Sequence, residues 1–534
     1  MPFRKSTAMD STGIACMAQG WGKVVARRVE EQVGPELDLD ADAIEQFARG
    51  AACAVAKGTI EELLEKKAAA LGPEQPCPEC QRLCPVEREP RTISFWGTDV
   101  EYREPKCHCP ACRRDFFPQR PALRLTPHRY SPSVLGKILR ASAREPSFQE
   151  AADALKDMAE VTISSRQVTR IAEEIGRELE AGRDQQTQHF QDRRLDPAVT
   201  TRPALAVVEV DGGRLRIRGA GDGPGAHNAS WREDKFALLA TAARPTFDAD
   251  PEPDLPPCFR DQSYVEELVR EMGGVGPLGL IDPPPEPLPD ASAPTTSAAS
   301  PTSAPEFLVR TSVASTCDSE AFGPMVAAEA HQRNFQAAAR GAFVGDGAAW
   351  LWKLQRLYFP GFQAIVDFVH VLSYVFAAAK AVATEPATRR ALFLEWAEAC
   401  WQGKVAPVLE LLRGFQERLG PLSTAEVEAL AEDDPRKVLA KSVGYLEHNQ
   451  DRRDYPHDRR EGLPIPSSPM ESTVKRFHRR VKGTEKSWGE TGAEAILQLR
   501  AAFLSEDGRL DQHQRSRPCT PYRNYKTRER RKAA

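Results

Sequence analysis

ALAVVEVDGGRLRIRGAG, running from Ala204 to Gly221, is the stretch whose reading decides the fold. Its apolar run, stopped by an acid and two glycines, reads as a buried strand ending at Asp211. Gly212 and Gly213 read as a turn. Leu215 and Ile217, alternating with Arg214, Arg216 and Arg218, then read as the returning strand of a hairpin. KFALLATAAR from Lys235 supplies a third strand, and FLVRTSVAST from Phe307 restores order after a long polar interval, followed by a helix through MVAAEAHQ. GAFVGDGAAWLWKL, from Gly341, reads as a strand ending in Asp346 before a glycine turn. FQAIVDFVHVL, from Phe362, reads as another, carrying Asp367 and His370. An acid at the end of a buried strand must be desolvated unless a cation meets it, which is poor for stability and well suited to function. Each taken singly also fits an Asp capping a turn beside glycine.

A third acid of the same kind lies far downstream in IPSSPMESTVKRFHRRVKG, Ile465 to Gly483. There Glu471 opens an expected helix on which Lys475, His478, Arg479 and Lys482 share its face, with Arg476 and Arg480 beside them. A lone acid on a basic stripe suits a metal ion held against a phosphate backbone; a charge run is also what an ordinary solvated helix face looks like.

The chain has 534 residues, enough for about three or four domains, and a formal net charge of -4 that conceals basic clusters around Glu471 and in the last twenty residues. Local patches, not the total, set the field a polyanion meets. Six of the twelve cysteines fall between Cys77 and Cys112, and no charged-then-apolar leader is seen at the amino terminus. A reducing compartment, and so a cytoplasmic, nucleoid-associated setting, is expected. The most membrane-like run, from Ala364, contains Asp367, His370 and Lys380, which favours a buried strand and helix over a bilayer span.

Residues 1–72 read as helical and carry no assigned chemistry. In 73–120, Cys77 and Cys80 make one CxxC and Cys109 and Cys112 a second, with 28 residues between the pairs. That is zinc-ribbon spacing, four thiolates closing a structural Zn2+ site, with Cys84, Cys107 and His108 as spare candidate ligands. In 121–195, Ser147 with Glu150 and Ser164 with Gln167 mark two helix starts. Phe148, Ala151, Ala152 and Leu155 form the apolar face of one helix, and Val168, Ile171, Ile175 and Leu179 that of the next. This fits a helix-turn-helix presenting Ser165, Arg166, Gln167 and Arg170 to DNA, and equally a plain helical bundle. Between about 245 and 306 the Pro, Ser, Ala and Thr content predicts a disordered insertion. Residues 386–460 read as helical, 461–510 hold the last acid and a final amphipathic helix, and 511–534 form a basic tail.

In a sheet flanked by helices, Asp211, Asp346 and Glu471 can converge, and three carboxylates with a phosphate bind two Mg2+ ions (or Mn2+) for phosphodiester chemistry. The order strand-Asp, strand-Asp, helix-Glu resembles the RNase H-like core of the DDE transposases. The DGG, GDGAAWLW, DFVH and SSPMES elements, with KRFHRRVKG and Trp488, are similar to a bacterial insertion-sequence subgroup. Asp367-Phe-Val-His370 resembles the Cys-or-Asp-x-x-His box of Mutator-like transposases. Where the family has a glycine before the third acid, this chain has Ser468 and Pro469.

The resemblance, over about Cys77 to Leu504, implies a multidomain α+β protein: a zinc ribbon, a helical DNA-binding domain, and an RNase H-like α/β core (203–385 and 461–510) with a mixed sheet and a helical insertion (386–460). It implies catalytic Asp211, Asp346 and Glu471, with Asp367 and His370 beside them. It implies DNA contacts from Arg166, Gln167, Arg170, Lys475, Arg476, Arg479, Arg480 and Lys482. The expected partners are the double-stranded terminal repeats of the element and its target DNA, handled by a homo-oligomer away from any membrane. A non-catalytic DNA-binding protein derived from an inactivated element, and a nuclease that cleaves without joining, are the competing expectations. No GxSxG, P-loop or HExxH motif is present.

Overall fold

The computed structural model describes residues 11–34, 38–218, 230–272, 305–420, 422–466, 468–483 and 486–522. They fall into two compact units, one of Met1–Ala141, Phe148–Val168 and His513–Ala534, the other of Ser142–Ser147 and Thr169–Gln512.

In the first unit, β1 (Glu74–Pro76), β2 (Leu83–Phe95), β3 (Thr98–Cys109) and β4 (Arg114–Phe116) form an antiparallel sheet in chain order. Its centre is the long β2–β3 hairpin, turned at Trp96 and at Gly97, whose φ of 71° a side chain would resist. The Ala41–Ala69 helix, capped by the Asp40 carboxylate, buries Leu64 and Ala68 against Ile93, Val100 and Tyr102 of the hairpin. Inside this small unit Glu104 is a buried acid that meets Arg120 through two hydrogen bonds, of 2.8 and 2.9 Å, and Arg91 through one of 2.7 Å, so its charge is matched rather than stranded. The helices Phe148–Ala159 and Ser165–Gln191 begin directly after Ser147 and Ser164, and the Ser164 hydroxyl accepts from the Gln167 amide at 3.3 Å. Ala151, Ala152, Leu155, Val168, Ile171 and Ile175 are buried as their spacing predicts. The boundary between the two units falls within the Ser165–Gln191 helix, after Val168.

The second unit is built on β5 (Leu205–Ile217), β6 (Ser230–Ala243), β7 (Glu306–Ser315), β8 (Arg340–Gly345) and β9 (Gln363–Val366), in the spatial order β7-β6-β5-β8-β9. β5, β6 and β7 are antiparallel neighbours, while β8 and β9 run parallel to β5. Three expectations are corrected here. Gly212 and Gly213 make no turn: β5 continues through them and pairs with β6 over its whole length, Gly213 standing opposite Asp234. A Cβ on Gly213 would come within 2.5 Å of the His478 ring, so the residue marks a close approach inside a strand. The insertion expected at 245–306 is ordered in its first part, with helices Pro257–Arg260 and Gln262–Glu271 burying Phe259, Val265 and Leu268 in the main core; residues 273–304 lie outside those described. The apolar residues of that first part were few but correctly spaced, and average composition hid them. Lastly, His370 lies in the Phe368–Val382 helix and not on a strand, because β9 stops at Val366.

The helices between 386 and 460 do not form a separate body. Trp396, Cys400, Leu412, Leu439, Leu446 and Tyr455 belong to the same buried cluster as Val207, Val208, Phe343 and Ile365 of the sheet. Among the described residues no helix is long and apolar enough to cross a membrane.

Candidate functional site

Two places bring chemistry-bearing side chains together. In the first unit, Cys77, Cys80, Cys109 and Cys112 place their sulfurs within 4.8 Å of one another. The Cys77–Cys112 and Cys80–Cys109 separations are 3.9 and 3.5 Å, bracketing the edge of about 3.8 Å of a tetrahedron of sulfurs ~2.3 Å from zinc. The two loops are built alike. Each runs Cys-Pro-x-Cys, and each is followed by a non-glycine residue in left-handed conformation, Gln81 at φ 60° and Arg113 at φ 51°. The Gln81 amide donates to the Cys77 carbonyl at 2.9 Å and the Cys112 amide to the Cys109 sulfur at 3.4 Å. This set fits a structural metal such as zinc. Cys84 and Cys107 are buried in the adjoining cluster and are not members of the four, and His108 pairs instead with Asp115 at 2.8 Å.

In the second unit, the acids stand where the parallel pairing of three adjacent strands ends: Asp346 and Asp367 directly follow β8 and β9, and Asp211 lies within β5, one residue past its last partner on β8. Val210 is in register with Gly345, and Gly345 with Val366, so Asp211, Asp346 and Asp367 follow side by side on strands about 4.8 Å apart. The Asp211 carboxylate accepts from the Gly212 amide at 2.7 Å and Asp346 from the Ala348 amide at 2.8 Å. Asp367 is fully buried; it caps the Phe368–Val382 helix at the Val369 amide and meets His370 Nδ1 at 3.0 Å. Burial, and then the charge of Asp346, push the Asp211 carboxyl up to about 7, against the opposing His370 cation and Gly212 amide. For His370, burial works against the imidazolium, but the Asp367 hydrogen bond and the charges of Asp367, Asp346 and Asp211 outweigh it and raise the ring to about 9. The result is a cluster with excess negative charge and one adjacent fixed cation.

Two tyrosines from the helical stretch pin this edge from behind. The Tyr445 hydroxyl donates to the Asp346 carbonyl at 2.8 Å, and Tyr455 donates to the Val366 carbonyl at 2.8 Å. Gly347, at φ 99°, lies so close to the Tyr445 ring and Asn449 that a Cβ would come within 2.8 Å of both. Burial holds both phenols well above their ordinary range, keeping them as donors. Nothing in the sequence of these helices singled out Tyr445 or Tyr455, since their partners are backbone atoms nearly a hundred residues away. The helical stretch thus supplies the foundation of the acid-bearing turns.

Glu471 lies in the Ser468–Val481 helix, and its side chain is outside the described residues. Its backbone can still be located along the sheet. The loop after the helix pairs with the far end of β5, Trp488 exchanging hydrogen bonds with Arg216 and Arg218, so the helix starts nearer Asp211. His478 sits over Gly213, and Glu471 lies seven residues, about 10.5 Å, back toward the start of that helix. Pro469 falls in the first helical turn, where its missing amide costs nothing.

Of the basic residues, Lys475, Arg476 and Arg479 are exposed and Lys482 half-buried, as are Arg166 and Arg170 (exposed) and Gln167 (half-buried) on the Ser165–Gln191 helix. Arg480 departs from expectation. It is 1% exposed, donates to the Ser142 and Pro146 carbonyls at 2.8 and 3.2 Å, and lies over the Trp488 ring. It points along the apolar side of the helix with Phe477 and Val481, so it anchors structure and cannot reach DNA. Among the described residues, only the four cysteines meet the close spacing of a ready metal cluster; the acids stand wider apart.

No protein-family model matches this chain, and no curated protein matches it.

Proposed function

We propose that the chain is a DNA transposase of the DDE kind, cleaving the ends of an insertion sequence and joining them to target DNA. The observation that carries this reading is the pair Asp211 and Asp346, side by side where the parallel pairing of β5 and β8 ends, so placed that the Asp211 carboxyl is pushed to about 7. Carboxylates crowded in this way call for a divalent cation. The order β7-β6-β5-β8-β9, three antiparallel strands and two parallel ones, supports an RNase H-like core, and the packing of the Glu471-bearing helix on β5 at Gly213 supports Glu471 as third acid. The cysteine-bearing sheet supports a zinc ribbon.

On this reading Asp211, Asp346 and Glu471 hold Mg2+ or Mn2+, which when bound supplies positive charge to a phosphodiester and acidifies an attacking oxygen. His370, kept cationic by Asp367, offers a proton donor and a positive charge to a phosphate oxygen at the edge of the site. Tyr445 and Tyr455 hold the two acid-bearing turns rigid. Lys475, Arg476 and Arg479 present charge to the backbone of the DNA, and Arg166, Gln167 and Arg170 contact it on the helix that follows the turn at 160–164.

The test is a strand-cleavage and strand-transfer assay on DNA bearing the terminal repeats that flank the coding region, with Mn2+ or Mg2+, comparing the intact chain with Asp346→Asn. Metal-dependent nicking and joining that vanish in the variant are expected. Binding of those ends by a folded protein that cleaves nothing under either metal refutes the enzymatic reading and leaves a DNA-binding protein.

A further inference from the structure

Asp234 on β6 is fully buried, and neither of its carboxylate oxygens has a hydrogen-bond partner among the described residues. A carboxylate so placed is costly unless a cation stands by it. The group at hand is His478, whose Nε2 lies 3.4 Å from Asp234 Oδ2 and whose ring edge packs on Phe236 at 5.4 Å. The imidazole gets there by crossing β5 over Gly213, where any larger residue would block it. Phe477, one residue earlier, packs on the same Phe236 at 4.8 Å. Asp234, Phe236, Gly213 and Asp211 all project from one face of the sheet, since Gly213 pairs with Asp234 and Asp211 with Phe236.

We propose that Asp234 and His478 form a latch that seats the Ser468–Val481 helix on β5 and thereby sets where Glu471 stands beside Asp211 and Asp346. This rests on the reading of Glu471 as the third acid. Both are positioning residues, acting through the helix without touching substrate. The pair explains three features the proposed chemistry leaves unused: a buried acid without a donor, a histidine turned inward from a basic stripe, and a second glycine in the middle of a strand. The latch also spares His478 from the DNA-facing set, leaving Lys475 and Arg479 on the exposed side of that helix.

The test uses the full chain and hydrogen–deuterium exchange of peptides covering Met470–Val481. His478→Gln strands the buried carboxylate and is expected to raise exchange across this helix about tenfold or more, with β8 still protected. The Asp234→Asn, His478→Gln double variant removes the buried carboxylate together with the imidazole beside it and is expected to recover most of the protection, because two matched neutral amides leave no stranded charge. Gly213→Ala, which displaces the ring sterically, is expected to loosen the helix as His478→Gln does and serves if that variant fails to fold. In parallel, Mn2+ affinity is measured in His478→Gln, Glu471→Gln and their combination. Equal losses of about tenfold that do not add are expected, since both changes remove the same ligand. Unchanged exchange in His478→Gln, or no recovery in the double variant, overturns the latch; additive Mn2+ losses overturn its action through Glu471. An intact chain that binds no Mn2+ fails the metal reading instead, and exchange alone then judges the latch.

Discussion

Asp211 offers the sharpest perturbation. Its carboxyl, ordinarily near 3.8, is pushed to about 7, so between those values the folded protein holds a proton that the unfolded chain has lost. Stability must therefore fall as pH rises through that window. The full span is worth ~4 kcal/mol at 1.36 kcal/mol per pH unit, and solvent at a half-buried carboxylate screens it to about 1–2 kcal/mol. Asp211→Asn carries no such titration. Thermal unfolding at pH 5 and pH 8, in buffer free of Mg2+ and Mn2+ but without chelator, so that a metal held by the four cysteines would stay, should show the variant gaining about 1–2 kcal/mol on the parent between the two pH values. For a domain of this size that is roughly 2–4 °C in midpoint. Adding Mn2+ at pH 8 should then stabilise the parent, by about 2.7 kcal/mol at a hundredfold excess over its dissociation constant, and leave the variant unmoved. A variant whose difference from the parent is the same at both pH values would refute the crowding of Asp211 against Asp346, and with it the electrostatic case for a cation there.

Further outcomes follow from single contacts. Tyr445→Phe loses the hydrogen bond to the Asp346 carbonyl and should cost about 1 kcal/mol of stability; nicking by this variant should fall more than its DNA affinity does, and equal falls would count against a role at the acid. Arg480→Ala should destabilise by about 2–3 kcal/mol through its two stranded carbonyls and lost packing. Arg479→Ala should instead leave the melt unchanged and lower the salt slope of DNA binding by about one. Cys80→Ser or Cys109→Ser should remove the bound metal as measured by elemental analysis, whereas Cys84→Ala should retain it. Gln81→Gly, relieving a left-handed side chain, should stabilise the metal-bound unit by about 0.5–1 kcal/mol, readable in its chemical denaturation midpoint.

The elements that were legible in the sequence are those whose signals are local. CxxC spacing announced the cysteine cluster because chelation needs sulfurs at fixed short range, and Ser164 and Gln167 announced a helix start because capping is a four-residue interaction. Asp211, Asp346 and Asp367 stood out as acids ending apolar runs, and the parallel register of β5, β8 and β9 sets them side by side. What the chain alone could not show was whatever depended on a distant partner. Gly-Gly has the composition of a turn, and only the histidine packed against it from 265 residues downstream reveals it as strand. Arg480 carries the same charge as Arg479, and only the carbonyls of Ser142 and Pro146 turn it inward. Tyr445 and Tyr455 look like any helical tyrosines until the backbone of Asp346 and Val366 is beneath them. Sequence by itself determined periodicity, capping and ligand spacing, which act over a few residues; the tertiary structure decided which charges are buried, paired or free, because desolvation is a property of the packed surroundings and not of the residue.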